Sequence, residues 1–169
     1  MGRDDQGVRK SAQRYQWVPR ALVFITRPGQ VLLLKGAPDK KIWPGLYNGV
    51  GGHVERDEDV LAAALREVEE ETGLRPARLQ LCGVVNIDTG QDAGIGMFVF
   101  KGEAAGQAPW VSSEGELEWV SIGDIPALHV VEDLPALLPR VLAMGPDSPP
   151  FFAHYGYDED DRLAIRFRD

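Results

Sequence analysis

The stretch GGHVERDEDVLAAALREVEEETGL, residues 51–74, crowds Glu67, Glu69, Glu70 and Glu71 onto a segment with the periodicity of a helix. Leu61, Ala64, Leu65 and Val68 fall at i, i+3, i+4 and i+7, the spacing of a core-facing stripe. Asp57, Glu58 and Asp59 suit the start of that helix, where its dipole favours negative charge, and Gly73 suits its left-handed end. Glu67, Glu70 and Glu71 then share one face at the rim of the stripe, while Glu69 points away and can pair with Arg66. Each exposed like-charge pair costs about 0.2–0.5 kcal/mol. Two carboxylates about 6 Å apart at an effective dielectric near 20 repel by roughly 3 kcal/mol. A divalent cation reverses that sign, because hard oxygen donors converging on one point are what Mg²⁺ takes. Spacing alone leaves open the other reading, an ordinary solvated glutamate face.

Working outward, ALVFIT, the RPGQ turn and VLLLK read as a β-hairpin around Pro28 and Gly29. GAPDKKIWPGLYNGVGG is dense in Gly and Pro and reads as loop or short edge structure. Beyond the helix, strands are expected at LQLCGVVNI, IGMFVFKG and LEWVSI. A helix near EDLPALLPRVLAMG follows, which Pro139 should bend or restart. FFAHYGYDEDDRLAIRF suggests a closing hairpin around an acidic turn. Residues 1–18 read as a polar N-terminal arm and 19–169 as a single domain of the α/β class.

Composition excludes several classes. With 169 residues, 44% hydrophobic and 26% charged, the chain is neither disordered nor membrane-spanning in character. No apolar leader opens it, and the lone cysteine, Cys82, reads as a small buried residue, which together point to the cytoplasm. A net charge of −8 argues against a nucleic-acid polymer as partner, yet a small anionic substrate stays open if a cation reverses the local field.

The surrounding residues narrow the choice. Gly52, Glu58, Arg66-Glu67-Val68, Glu70-Glu71 and Gly73-Leu74 resemble the signature of the Nudix hydrolase superfamily at every specified position. The resemblance implies an α/β/α sandwich with a mixed sheet, Mg²⁺ dependence with Mn²⁺ as a substitute, and hydrolysis of a nucleoside diphosphate linked to a further group. It makes Glu67, Glu70 and Glu71 metal-ligand candidates, with the Gly51 carbonyl as a further ligand, and Arg66 an orienting residue. Water attacks phosphorus, and Glu67, Glu70 or a loop glutamate accepts its proton. The loop candidate is Glu114, with Glu116 and Glu118 as rivals.

Outside the box the chain resembles, more loosely, the MutT-related oxidised purine nucleoside triphosphate diphosphatases. LYNGVGGHVE makes Tyr47 and Asn48 substrate-contacting candidates, and HVVED gives Glu132 and Asp133 the role of reading a purine edge. An aromatic expected before that pair is replaced by Val130 or Val131, so Trp43, Tyr47 or Phe151 must stack on the base if anything does. The leading expectation is therefore a nucleoside triphosphate pyrophosphohydrolase, releasing monophosphate and pyrophosphate. The alternatives are another nucleotide substrate, such as a nucleotide sugar or a generic (d)NTP, and a non-catalytic ligand-binding domain. The partner is a small nucleotide, and the resemblance also admits a homodimer.

Overall fold

The first two strands pair only briefly, and that brevity builds the site. In the computed structural model, which describes residues 14–39, 41–104 and 114–168, β1 (Gln16–Arg27) turns at Pro28-Gly29 into antiparallel β2 (Gln30–Gly36). Pairing runs from Arg27↔Gln30 to Ile25↔Leu32 and then stops. Residues 46–54 enter the gap. There β3 (Tyr47–Asn48) pairs with β2 through Leu34↔Asn48 and Lys35↔Tyr47, while Val50 and His53 bridge to Val23 and Arg20 on β1. The Ala21 N–H donates to the Gly52 carbonyl at 2.9 Å, and the Val23 N–H to the Val50 carbonyl at 2.7 Å. The Gly- and Pro-rich segment is thus short edge structure with its glycines pinned to the sheet.

Four of the remaining strands complete the main path: β4 (Leu79–Ile87), β5 (Ala93–Glu103), β7 (Phe151–Tyr157) and β8 (Leu163–Arg168). Along with β6 (Gly115–Ser121), which pairs with the other edge of β2, they form one sheet of order β3-β2-β1-β5-β4-β7-β8 among the described residues. Contacts β1/β5 and β4/β7 are parallel and the rest antiparallel, so the sheet is mixed. Alternation along β1 sends Ala21, Val23 and Ile25 to one face and Leu22 and Phe24 to the other. The first face meets α1 (Val60–Thr72) through Ala64 and Val68. The second meets α2 (Leu134–Ala143) through Leu134, Leu137, Leu138 and Val141. That is the α/β/α sandwich, with a core on each face.

Several expectations need correction. Ala64 and Val68 of the expected stripe are buried, but Leu61 and Leu65 are exposed, at 42% and 37%, and α1 buries Ala63 and Thr72 in their place. The helix is rotated by close to one residue from the leucine stripe. Small side chains let it lie close to the sheet, and the rotation brings Glu67 and Glu71 round toward Gly51-Gly52. Of the three acids before it, Asp59 alone is the N-cap, its carboxylate accepting from the Leu61 and Ala62 N–H groups at 2.8 and 2.9 Å. Gly73 ends the helix at φ 68° as expected. Glu69 pairs with Arg75, not Arg66. Pro139 does not restart α2, which runs unbroken through it; the acceptor it deprives of a partner is the carbonyl of Pro135, on the first turn. Strand β1 begins at Gln16, inside the expected arm, of which residues 1–13 lie outside the described residues. Cys82 is buried, which pushes its thiol up to about 11.

Candidate active site

Helix α1 presents its glutamates to the backbone that the split hairpin holds. A Cβ built on Gly52 would lie 2.4 Å from Glu67 Oε1 and 2.6 Å from its Cδ, so the Glu67 carboxylate occupies the space a side chain there would need. The Gly51 N–H donates to Glu71 Oε2 at 3.2 Å. Gly51 has φ 152°, and a Cβ on it would meet the Ala21 carbonyl oxygen at 2.1 Å. The two glycines are thus required for different reasons: one by the backbone, the other by a carboxylate.

Arg66 is the hub. Its Nη2 donates to Glu58 Oε1 at 2.7 Å and to the His53 carbonyl at 3.0 Å, and its Nε donates to Glu58 Oε2 at 3.1 Å. Nη1 donates to Glu67 at 2.8 Å and to Glu70 at 3.1 Å. The forked pair with Glu58 uses the planar geometry that only arginine offers. Hydrogen bonds from Arg66 and from the Glu55 N–H hold the Glu58 carboxyl below its ordinary range, and the three glutamates keep Arg66 firmly protonated. Glu58 is therefore the anchor of the arginine and not a helix cap. His53 contributes its backbone carbonyl, a role no residue type signals.

A cleft of about 1290 Å³ runs over these groups. One arm is walled by Glu67, Glu70, Glu71, Gly51, Gly52 and Glu55, and the other by Leu22, Ile87, Ile95 and Met97, with Tyr157 and Trp43 also lining the cleft. Asn48 and Glu114 line it as well. The Asn48 Oδ1 also accepts from the Gly49 N–H at 2.8 Å, so it shapes its own turn. Glu116 and Glu118 do not line the cleft, and Glu118 takes the Tyr47 hydroxyl at 2.7 Å.

Three expected substrate contacts, Tyr47, Glu132 and Asp133, are not among the residues that line this cleft. Tyr47 is buried in the α2-side core, and its bond to Glu118 pushes its hydroxyl up to about 12. Glu132 is exposed and accepts from the Leu163 N–H at 3.3 Å. Asp133 precedes α2 without capping it through its side chain; burial raises its carboxyl, and burial, with a smaller part from the Asp133 charge, raises the Tyr155 hydroxyl. Phe151 packs edge-on against Phe167 at 5.6 Å, leaving Trp43 as the one of the three stacking candidates that lines the cleft. The apolar arm was missed in the sequence, because Ile87, Ile95 and Met97 read there as ordinary strand residues.

Chemically, the carboxylates and glycine carbonyls of the polar arm are hard oxygen donors, which suit a divalent cation. Among the described residues no three acidic, imidazole or thiol side chains already converge as a metal group. Arg66 sits between the carboxylates of Glu67 and Glu70, and Glu70, 60% exposed, is free to swing by rotamer change.

Comparison with known proteins fits this geometry. The model of the NUDIX domain matches residues 16–141. This chain belongs to the Nudix hydrolase family. Oxidized purine nucleoside triphosphate hydrolases are similar along most of their length. The Danio rerio protein is 29% identical over 142 residues, 81% of this chain and 86% of the relative. That of Mus musculus is 27% identical over 150 residues, 88% and 92%. A MutT protein from Bacillus halodurans shares the fold at a TM-score of 0.74 and 24% identity, covering 89% of this chain and 97% of that one. Nudix hydrolases generally use divalent metal ions. Among the described residues no helix of this one is long and apolar enough to cross a membrane.

Proposed function

We propose that this Nudix hydrolase is a Mg²⁺-dependent pyrophosphohydrolase of nucleoside triphosphates, with oxidised purine deoxynucleotides as its leading substrates. The observation that carries the reading is the Glu67 carboxylate seated on the Cα of Gly52 while Arg66 ties Glu67, Glu70 and Glu58 together beside a cleft with an apolar arm. The similarity to the two animal hydrolases supports the choice of substrate.

Glu67, Glu70, Glu71 and the Gly51 carbonyl would hold the cation. When bound, it supplies charge neutralisation at the phosphates and a lower pKa for a bound water. Water attacks a phosphorus of the triphosphate chain, the bridging P–O bond opposite breaks, and pyrophosphate leaves with the bond electrons. One of Glu67, Glu70 and Glu114 accepts the proton of the attacking water. Arg66 fixes Glu67 and Glu70 through its hydrogen bonds to both, a positioning role exerted through the pair it makes with Glu58.

A substrate panel with Mg²⁺ present or chelated tests this: canonical and oxidised dNTPs, nucleotide sugars, ADP-ribose and dinucleoside polyphosphates, with products identified. Monophosphate and pyrophosphate from the triphosphates, abolished by EDTA, are expected. Turnover confined to nucleotide sugars or other diphosphate-linked compounds moves the protein to another substrate, and turnover indifferent to EDTA overturns the metal assignment.

A further inference from the structure

Arg20 lies in the middle of β1 and lines the cleft, yet its Nε is shut away from solvent without a hydrogen-bond partner among the described residues. A buried donor left unpaired is costly and calls for an explanation; the side chain as a whole is only half-buried, so a ligand meets the part of it that lines the cleft. Strand alternation supplies the direction. Ala21 and Val23 face the α1-side core and Leu22 and Phe24 the α2-side core, so Arg20 projects with Leu22, away from the α1 glutamates. Its register partner on β5 is Met97, and Leu22, Ile87 and Ile95 line the same arm. Apolar binding sites use a few polar groups to fix the orientation of a ring, and Arg20 is such a group.

Resting on the function proposed above, we infer that Arg20 is a specificity-determining residue, which donates to the ring carbonyl of a 6-oxopurine and so favours guanine-type over adenine-type bases. The polyphosphate belongs with Glu67, Glu70, Glu71 and the glycines in the other arm, so the acceptor reaching Arg20 comes from the base. Guanine presents O6 and N7 to an arginine, the commonest pairing of that side chain with a base. 8-Oxoguanine keeps O6 but carries a proton on N7, so the bond to O6 is the one that both forms share. Adenine places an amino donor where O6 stands, and two donors then face each other.

Two measurements on the wild type, Arg20→Met and Arg20→Gln test it: affinities for GMP and AMP, and kcat/KM for dGTP, 8-oxo-dGTP and dATP with Mg²⁺. The wild type is expected to prefer the guanine member in each set, and both substitutions to lower that preference by about 5- to 150-fold, the range of one bidentate base contact. Arg20→Met should not lower the melting temperature of the free protein, because it removes an unpaired donor; should it unfold, Arg20→Gln carries the test. A wild type without guanine preference, or a preference that the substitutions leave intact, overturns the inference. GMP discrimination that depends on Arg20 without any triphosphate hydrolysis sinks the proposed function and leaves this inference standing. Hydrolysis with a base ratio insensitive to Arg20 does the reverse.

Discussion

Gly52→Ala separates chemistry from folding. A methyl group there would stand 2.4, 2.6 and 2.8 Å from Oε1, Cδ and Oε2 of Glu67, all at the far end of a side chain that can move. Gly52 is not among the glycines with positive φ, so alanine can adopt its backbone without strain. Ordinary contact requires the carboxylate to retreat by about 1 Å, and a displacement of that size at a reacting centre costs roughly 10²-fold in rate. The stability cost is small: an off-rotamer Glu67 costs about 0.5–1.5 kcal/mol, offset by about 0.4–1 kcal/mol from stiffening the unfolded chain. The expected variant melts within a few degrees of the wild type and loses roughly 10² in kcat for pyrophosphate release at saturating Mg²⁺, with KM little changed. Gly51→Ala is the contrast. Its Cβ would meet the Ala21 carbonyl, a backbone atom that cannot yield, at a φ that alanine avoids, so stability itself falls by at least about 1–3 kcal/mol. A folded Gly52→Ala protein with turnover within about threefold of the wild type would refute the placement of Glu67 at the reacting centre.

Glu70→Gln and Glu71→Gln should each lower kcat by at least roughly 10²–10³ while thermal melting is preserved; normal turnover in both removes them from the metal site. Tyr47→Phe should cost about 0.5–1.5 kcal/mol in urea unfolding through loss of the 2.7 Å bond to Glu118, with KM unchanged; a large rise in KM without loss of stability would return Tyr47 to the substrate. Asp133 predicts a pH dependence. Burial raises its carboxyl in the folded state, so the stability it contributes is whole below its unfolded value near 3.9 and is lost as pH rises through the folded value. Asp133→Asn abolishes that loss and should gain stability relative to the wild type as pH rises above the unfolded value near 3.9. A difference that stays constant over that rise contradicts the burial argument.

Much of the architecture is local and could be read residue by residue. Pro28-Gly29 marks the hairpin, and the alternation of LQLCGVVNI marks β4, which spans Leu79–Ile87. Gly73 marks the end of α1. These features depend on turn chemistry and short-range periodicity, which a chain carries wherever it folds. The rotation of α1 could not be read. Leucines at helical spacing signal a buried stripe, but the space between α1 and the sheet admits alanine, because Ala64 and Val68 pack there against Ala21, Val23 and Val50. The partners of Arg66 escaped for a related reason. Glu69 is near it in sequence, whereas Glu58 and the His53 carbonyl reach it only because the residues before the helix fold back over its first turns.

The spacing of Gly52, Arg66, Glu67, Glu70 and Glu71 carried the family and the reaction class, because those residues lie within two turns of one helix and the loop leading to it. Tertiary structure decided the other half of the cleft. It turned Tyr47 inward to Glu118 and put Arg20, Ile87, Ile95 and Met97 on one surface from strands far apart in the chain. A helix brings together residues three and four apart whatever surrounds it, but a sheet joins strands by a register that no single strand contains.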